Sequence, residues 1–314
     1  VEVGDGVAVR RMDEVDLRRI LDLRSVVRWS ADPDAFGLLR GMRDARWAVA
    51  EAGEESIVGM VGAVPLGELG ILCHLAVHDA YRRAGIGERL ARWAITYLRS
   101  RGAGLIRLDS TSEAERLYRG LGFSGGVRRT VYRLGEVTGS GGETGAGGYR
   151  VHPLTIEDLP EVYGLDHWSF GGDRSGIILA AIRLHPGRGL LLRDGSGRIK
   201  GYLVQSVSEG VTRLGPFLAE SEEAGRALLS AALGAVHEAG GGPVEIISTA
   251  SSVHSVHSVH SVHSVHSVHS GSPEHALLSG FGFEGSPDRL RMELGSRPEA
   301  RGLIQYGTTP YLAT

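Results

Sequence analysis

Leu72–Arg101 reads LCHLAVHDAYRRAGIGERLARWAITYLRSR, and the rest of the chain is read outward from it. Leu72, Cys73, Leu75, Ala76 and Val77 make a short apolar run of strand length. Tyr81–Gly87 (YRRAGIG) is a glycine-rich turn. Ile86, Leu90, Trp93, Ala94, Tyr97 and Leu98 then recur on one helical face, with Glu88, Arg89, Arg92, Thr96, Arg99 and Arg101 opposite and Gly102 as the stop. Strand, turn and helix in that order form a device for holding phosphate. The first N–H groups of a helix lack internal partners, and the dipole places partial positive charge there. Gly85 and Gly87 remove the Cβ atoms that would keep an anion away, while Arg82 and Arg83 add formal charge.

LAVHDAYRRAGIG resembles the acyl-CoA-binding signature of GNAT-type N-acyltransferases, an Arg/Gln-x-x-Gly-x-Gly/Ala turn, with the match on Arg82, Gly85 and Gly87. Leu105–Phe123 (LIRLDSTSEAERLYRGLGF) resembles the family's next signature through Ala114, Leu117, Tyr118, Gly122 and Phe123, with Thr111 where Asn is usual. The resemblance implies an α/β fold, a mixed, mostly antiparallel sheet flanked by helices. It also implies acetyl-CoA as co-substrate, with no metal required. The groups expected to hold it are Leu75, Ala76 and Val77, which would pair with the pantetheine arm, the turn Arg82, Arg83, Ala84, Gly85, Ile86 and Gly87, and Thr111. By the same resemblance Tyr118 is the acid for the departing thiolate: a phenol near pKa ~10 stays protonated at neutral pH. Glu68 and His74 are the candidate bases. Strand alternation sets His74 opposite Cys73 and Leu75, unless a bulge intervenes. Trp29, Asp32, Asp34 and Phe36, after the first helix, are candidate acceptor-pocket residues.

The 314 residues suffice for two domains, and 42% hydrophobic with 23% charged residues is a globular composition. A net charge of −3 argues against nucleic acid or an anionic membrane as partner. The single cysteine, Cys73, permits no internal disulfide and reads as a buried hydrophobe. No apolar stretch is long enough for a membrane span, so the expected location is the cytoplasm.

Expected elements in the first half are strands at 7–11, 46–51, 57–65, 105–108 and 127–134 around the central strand, with helices after Asp13 and over 112–121. This half, 1–135, is expected to be the catalytic domain with its own closing strand. Residues 136–148 (EVTGSGGETGAGG) are a Gly/Ser-rich linker. Residues 149–295 then repeat the plan, with a central strand at 212–219 and a helix at 222–238: two tandem GNAT-like domains repeating at roughly 140 residues. The second copy lacks Arg-x-x-Gly-x-Gly. Glu220, Glu222 and Glu223 stand where a pyrophosphate needs cations, and Leu277-Leu278 replaces Leu117-Tyr118, so this copy is expected to be degenerate.

Six Ser-Val-His triplets fill 252–269. A period of three matches neither helix nor strand, so secondary structure alone would not make the imidazoles converge, and the tract reads as an expansion tolerated in a loop. The tail 296–314 shows no periodicity and is assigned no element. The function these features favour is acetyl transfer to a primary amine of a small or amino-acid-like acceptor by a monomer or homodimer. The alternatives are a non-catalytic acyl-CoA sensor and a metal-handling histidine loop.

Overall fold

The computed structural model describes residues 6–29, 42, 44–53, 56–137, 148–248, 273–296 and 304–307. The first half runs β1 (Val7–Arg11), α1 (Leu17–Val26), β2 (Arg46–Ala52), β3 (Ser56–Leu66), β4 (Leu69–Val77), α2 (Ile86–Ser100), β5 (Leu105–Ser110), α3 (Glu115–Gly120) and β6 (Ser124–Leu134). The second half repeats this order with β7 (Arg150–Pro153), α4 (Leu159–Phe170), α5 (Ser175–Leu184), β8 (Gly189–Arg193), β9 (Ile199–Ser208), β10 (Val211–Ala219), α6 (Glu222–Glu238), β11 (Val244–Ser248), α7 (Pro273–Gly280) and β12 (Glu284–Gly295). The elements read from the sequence are present within a few residues at each end. Pro273–Gly280 and β12 lie on either side of Phe281–Phe283, as α3 and β6 lie around Leu121–Phe123.

β3 and β4 are buried almost throughout, which is why both read as continuous apolar runs. Gly62 of β3 has no alternative: a Cβ there would lie 2.6 Å from the ring of Trp47. α2 buries Ile86, Leu90, Ala91, Ala94 and Leu98 against the sheet. Trp93 and Tyr97, expected on that face, are only partly buried and stack on each other at 5.9 Å at its margin.

All the strands join in one sheet, ordered β1-β2-β3-β4-β5-β12-β6-β11-β10-β9-β8-β7. The two halves have exchanged their closing strands. β12 pairs antiparallel with β5 of the first half, through Leu290↔Ser110 to Gly295↔Leu105. β6 pairs with β11 of the second, through Val244↔Leu134 to Ser248↔Thr130. The closing strand expected within 1–135 therefore borders strands of the second half on both sides. The cores follow the exchange. One cluster joins Ile20, Leu23, Trp47, Met60 and Leu69 of the first half to Leu159, Val162, Ile177, Ile178 and Leu218 of the second. Another, under α2, takes in Leu290 and Met292 of β12. Each such side chain contributes about 1.5–3 kcal/mol on burial, so neither half's core is complete alone.

The tail forms one element: β13 (Ile304–Gly307) pairs antiparallel with β10, where no element was expected. Asp32, Asp34 and Phe36, the linker residues 138–147 and the Ser-Val-His tract lie outside the described residues. Among the described residues, no helix is long and apolar enough to cross a membrane.

Candidate active site

β4 and β5 start as a parallel pair, Leu69↔Leu105 through Ile71↔Arg107, and then part. A cavity of about 590 Å³ opens in the wedge, lined by Leu72–Val77 on one side and Leu108–Thr111 on the other. The Gly-rich turn (Tyr81, Arg82, Arg83, Gly85, Gly87) and Ala114, Leu117 and Tyr118 complete much of the wall.

A bulge shapes the β4 side. Met60 pairs with Ala76 and Gly62 with Cys73, so His74 and Leu75 together oppose Val61. His74 takes a left-handed φ of 52° to do this. As a result Cys73, His74, Leu75, Ala76 and Val77 all line the cavity, which simple alternation would forbid.

At the turn, Gly85 occupies the left-handed region (φ 75°) as the N-cap of α2, and no side chain caps the helix. Gly87 is not required by backbone conformation. A Cβ there would meet only cavity-lining atoms, Leu117 Cδ2 at 3.5 Å with Leu75 and Val77 at 3.8 Å, so the missing methyl leaves room in the cavity. Arg82 is folded onto the turn, its Nε donating to the Val77 carbonyl at 3.2 Å and its Nη2 lying 2.8 Å from Asp79. Arg83 and Arg116 line a second depression, with Glu88 and Glu113. The residues present thus fit an anionic, elongated ligand: uncapped helix N–H groups, two arginines and a groove the width of an absent side chain. Ile86 and Ala84 were expected in the binding turn, but their side chains do not line the cavity. Ile86 is buried in the core, and Ala84 packs against it.

Tyr118 lies in the wall, its ring edge-on to Phe123 at 5.7 Å. Burial raises its phenol above the ordinary value, offset in part by the nearby Arg289. Burial also pushes the Cys73 thiol up to about 12, so it remains protonated. Asp109 would be raised by burial, but the charges of Arg291 and Arg129 hold it below the usual carboxylate range. His74 is buried among Trp29, Trp47 and Arg24, and Arg24 Nη1 lies 2.9 Å from its Nδ1. Glu68 does not join the site. It is exposed in the β3–β4 hairpin turn, at the opposite end of a nine-residue strand from Val77. Leu72, the first β4 residue of the cavity lining, is four residues away, about 13 Å at ~3.3 Å per residue, which is beyond proton-transfer reach.

Arg24, which contacts His74, and the cavity-lining Asp109, Ser110 and Arg289 escaped the sequence reading. Arg24 left a signal, since it follows Ile20 and Leu23 at i+4 and i+1 on the buried face of α1. Arg289 left none: it reaches this wall only because β12 is exchanged.

The second half has the same wedge and fills it. β10 and β11 pair in parallel only at Thr212↔Val244 and Arg213↔Glu245. Beyond that, Phe217, Leu218 and Ala219 pair with β13. The helix that follows is capped, Ser221 Oγ accepting from the Ala224 N–H at 3.2 Å, and Glu222 and Glu223 occupy its first turn.

The profile "Acetyltransferase (GNAT) family" matches residues 15–123, and "Acetyltransferase (GNAT) domain" matches 162–267. The human protein N-acetyltransferase 8 is 37% identical over 84 residues, covering 24% of this chain and 37% of its own. The Bacillus subtilis uncharacterized N-acetyltransferase YitH is 27% identical over 172 residues, 53% of this chain and 57% of its own. The matched regions thus span little more than half of these relatives at most. Three solved structures share the fold over nearly the whole chain. A candidate acetyltransferase from Pyrococcus horikoshii has a TM-score of 0.73 at 22% identity, covering 99% of this chain and 96% of its own. A GCN5-related N-acetyltransferase from Sphaerobacter thermophilus has 0.63 at 18%, covering 97% and 99%. A tandem GNAT protein from the clavulanic acid biosynthesis pathway has 0.63 at 17%, covering 93% and 99%. With both halves matched by profiles of one family, and the two matches together taking in more than half of its length, the chain belongs to the GNAT acetyltransferases, as two tandem GNAT domains that share one sheet.

Proposed function

We propose that this chain transfers the acetyl group of acetyl-CoA to the primary amine of a small acceptor, and that only the first half does so. The observation that carries the reading is the open wedge between β4 and β5, bounded by an uncapped glycine turn at one wall and Tyr118 at another. Acetyl-CoA brings the activated acyl group. The turn and its arginines bind the phosphates. The free edge of β4 from Leu72 to Val77 bonds the pantetheine arm as a neighbouring strand would, and a backbone N–H there polarises the thioester carbonyl. The amine nitrogen attacks that carbon, a C–N bond forms, the C–S bond breaks, and Tyr118 gives its phenolic proton to the leaving sulfur. Much of the acceleration comes from holding amine and thioester together.

The amine must also lose a proton. Arginine has no acceptor, so Arg24 donates to His74 Nδ1, and the imidazole carries its proton on Nε2. Asp109 is already paired with Arg291 and Arg129. Neither is a free base, and in this reading the proton passes to water at the open mouth. The second half is degenerate because β13 lies along β10 in its wedge and Ser221 caps its helix.

The occupied His74 favours a second reading, an acyl-CoA sensor without turnover. Calorimetric titration of acetyl-CoA into the full chain tests both halves of the proposal. One site per chain, abolished by Gly87→Asp, is expected. Two sites would overturn the degenerate second half, and no binding would remove the acyl donor altogether. Release of free CoA thiol with any amine rejects the sensor.

A further inference from the structure

One residue of the cavity lining, Arg289, comes from the other half of the protein. β12 pairs with β6 through Pro287↔Thr130 and Leu290↔Arg128, so Asp288 and Arg289 together oppose Arg129 alone. Two residues against one is a bulge, which re-aims a side chain out of the pleat. Arg289 is re-aimed into the cavity, where it lines the same space as Tyr118, Ser110 and Thr111.

The local charges do not balance. Three guanidiniums, Arg129, Arg289 and Arg291, meet two carboxylates, Asp109 and Asp288. Asp109 accepts from Arg291 Nε at 3.1 Å and from Arg129 Nη1 at 3.4 Å, and Asp288 accepts from Arg129 Nη2. Arg289 keeps only a 3.7 Å approach to Asp288, and its buried Nε donates no hydrogen bond among the described residues. The Arg289 side chain keeps 21% of its surface exposed, at the cavity, and a partly desolvated cation with so few partners favours an anionic ligand there.

We propose that Arg289 binds a carboxylate of the acceptor, which makes the substrate an amino acid or another amine bearing a carboxylate. The proposal rests on the transferase reading above. The acyl donor does not need this arginine, because its phosphates belong at the Arg82–Gly87 turn and its thioester end is neutral. A guanidinium takes a carboxylate through two parallel N–H···O bonds, which fixes the orientation of the amine beside Tyr118. The second half then serves the reaction by delivering the residue that selects the substrate.

The test compares amino acids with their own carboxamides, in the full chain and in Arg289→Gln and Arg289→Lys. Acetyl-CoA-dependent release of CoA thiol is expected to favour the acid over the amide by tenfold or more in kcat/KM. Arg289→Gln should erase that preference while leaving the KM for acetyl-CoA unchanged, and Arg289→Lys should restore part of it. Equal use of acid and amide, or loss of acetyl-CoA binding in Arg289→Gln with the preference intact, overturns the proposal. Thermal shifts of the CoA-saturated protein with N-acetyl-amino acids and their amides read the same site without turnover. Stabilisation by acids alone, lost in Arg289→Gln, supports the carboxylate site even if no amine is acetylated; that outcome fells only the transferase reading. No stabilisation by any of the twenty acids overturns the site.

Discussion

Arg24 meets His74, a residue of the cavity lining, with its Nη1 2.9 Å from Nδ1. Because only the arginine can donate, the pair fixes the tautomer of a buried histidine. A long-range ¹H–¹⁵N spectrum of the histidine rings at pH 7.5 should show His74 with an unprotonated Nδ1 and a protonated Nε2. A signal for Nδ1–H would dissolve the pair and return His74 to the list of bases.

Two glycines of one turn should respond in opposite ways. Gly85 sits at φ 75°, so Gly85→Ala should cost about 1–2 kcal/mol of stability. Gly87 is in the first turn of α2 with only ordinary contacts awaiting a methyl, so Gly87→Ala should leave stability unchanged or raise it by up to about 1 kcal/mol. Its affinity for acetyl-CoA should nevertheless fall, because the methyl enters the cavity. Urea melts and calorimetry on the two variants separate these effects.

Tyr118→Phe keeps the ring packed against Phe123 and removes the proton donor. A loss of about 10²-fold or more in kcat is expected, with the KM for acetyl-CoA little changed. An unchanged kcat would leave the tyrosine as a packing residue.

Burial holds the Cys73 thiol near 12, whereas in the unfolded chain it titrates near ~8.5. Above the lower value the unfolded state releases a proton that the folded state keeps, so stability falls as pH rises, by up to about 1.4 kcal/mol per pH unit. Between pH 8.5 and 10 the Cys73→Ala variant should lose this part of the alkaline slope, whatever its stability at pH 7. Parallel slopes in urea titrations would contradict the assigned burial.

Strand exchange makes the halves one cooperative unit. Met292, on β12, is fully buried in the core beneath α2. Met292→Ala should cost about 2–5 kcal/mol. It should lower a single transition seen alike by far-UV circular dichroism and tryptophan fluorescence. Two separate transitions would show that each half closes its own sheet.

The central strand, the glycine turn and the helix after it were legible because each is local: the turn spans seven residues, and periodicity separates strand from helix. The partner of a closing strand is not local. Gly122-Phe123-Ser124-Gly125 and Gly282-Phe283-Glu284-Gly285 introduce closely similar strands, and either would satisfy β5 by pattern alone. Arg289 was hidden for that reason, and Glu68, offered by resemblance as a carboxylate at the start of the central strand, lies exposed in the β3–β4 turn and does not line the cavity. The β4 bulge was equally silent: a left-handed histidine is set by packing between β3 and the cavity, and apolar alternation carries no trace of it.

β13 has a consequence for how the protein behaves without its ligand. An open strand edge is a template for any other strand, and natural sheets protect such edges. The edge of β10 beyond Arg213 is covered by the chain's own Ile304–Gly307. Among the described residues, the matching edge of β4 beyond Ile71 has no such cover. On the proposed reading an acyl donor bound along β4 would act as the missing strand, and without it the first half presents, among the described residues, an uncovered strand edge through which two copies could zip together.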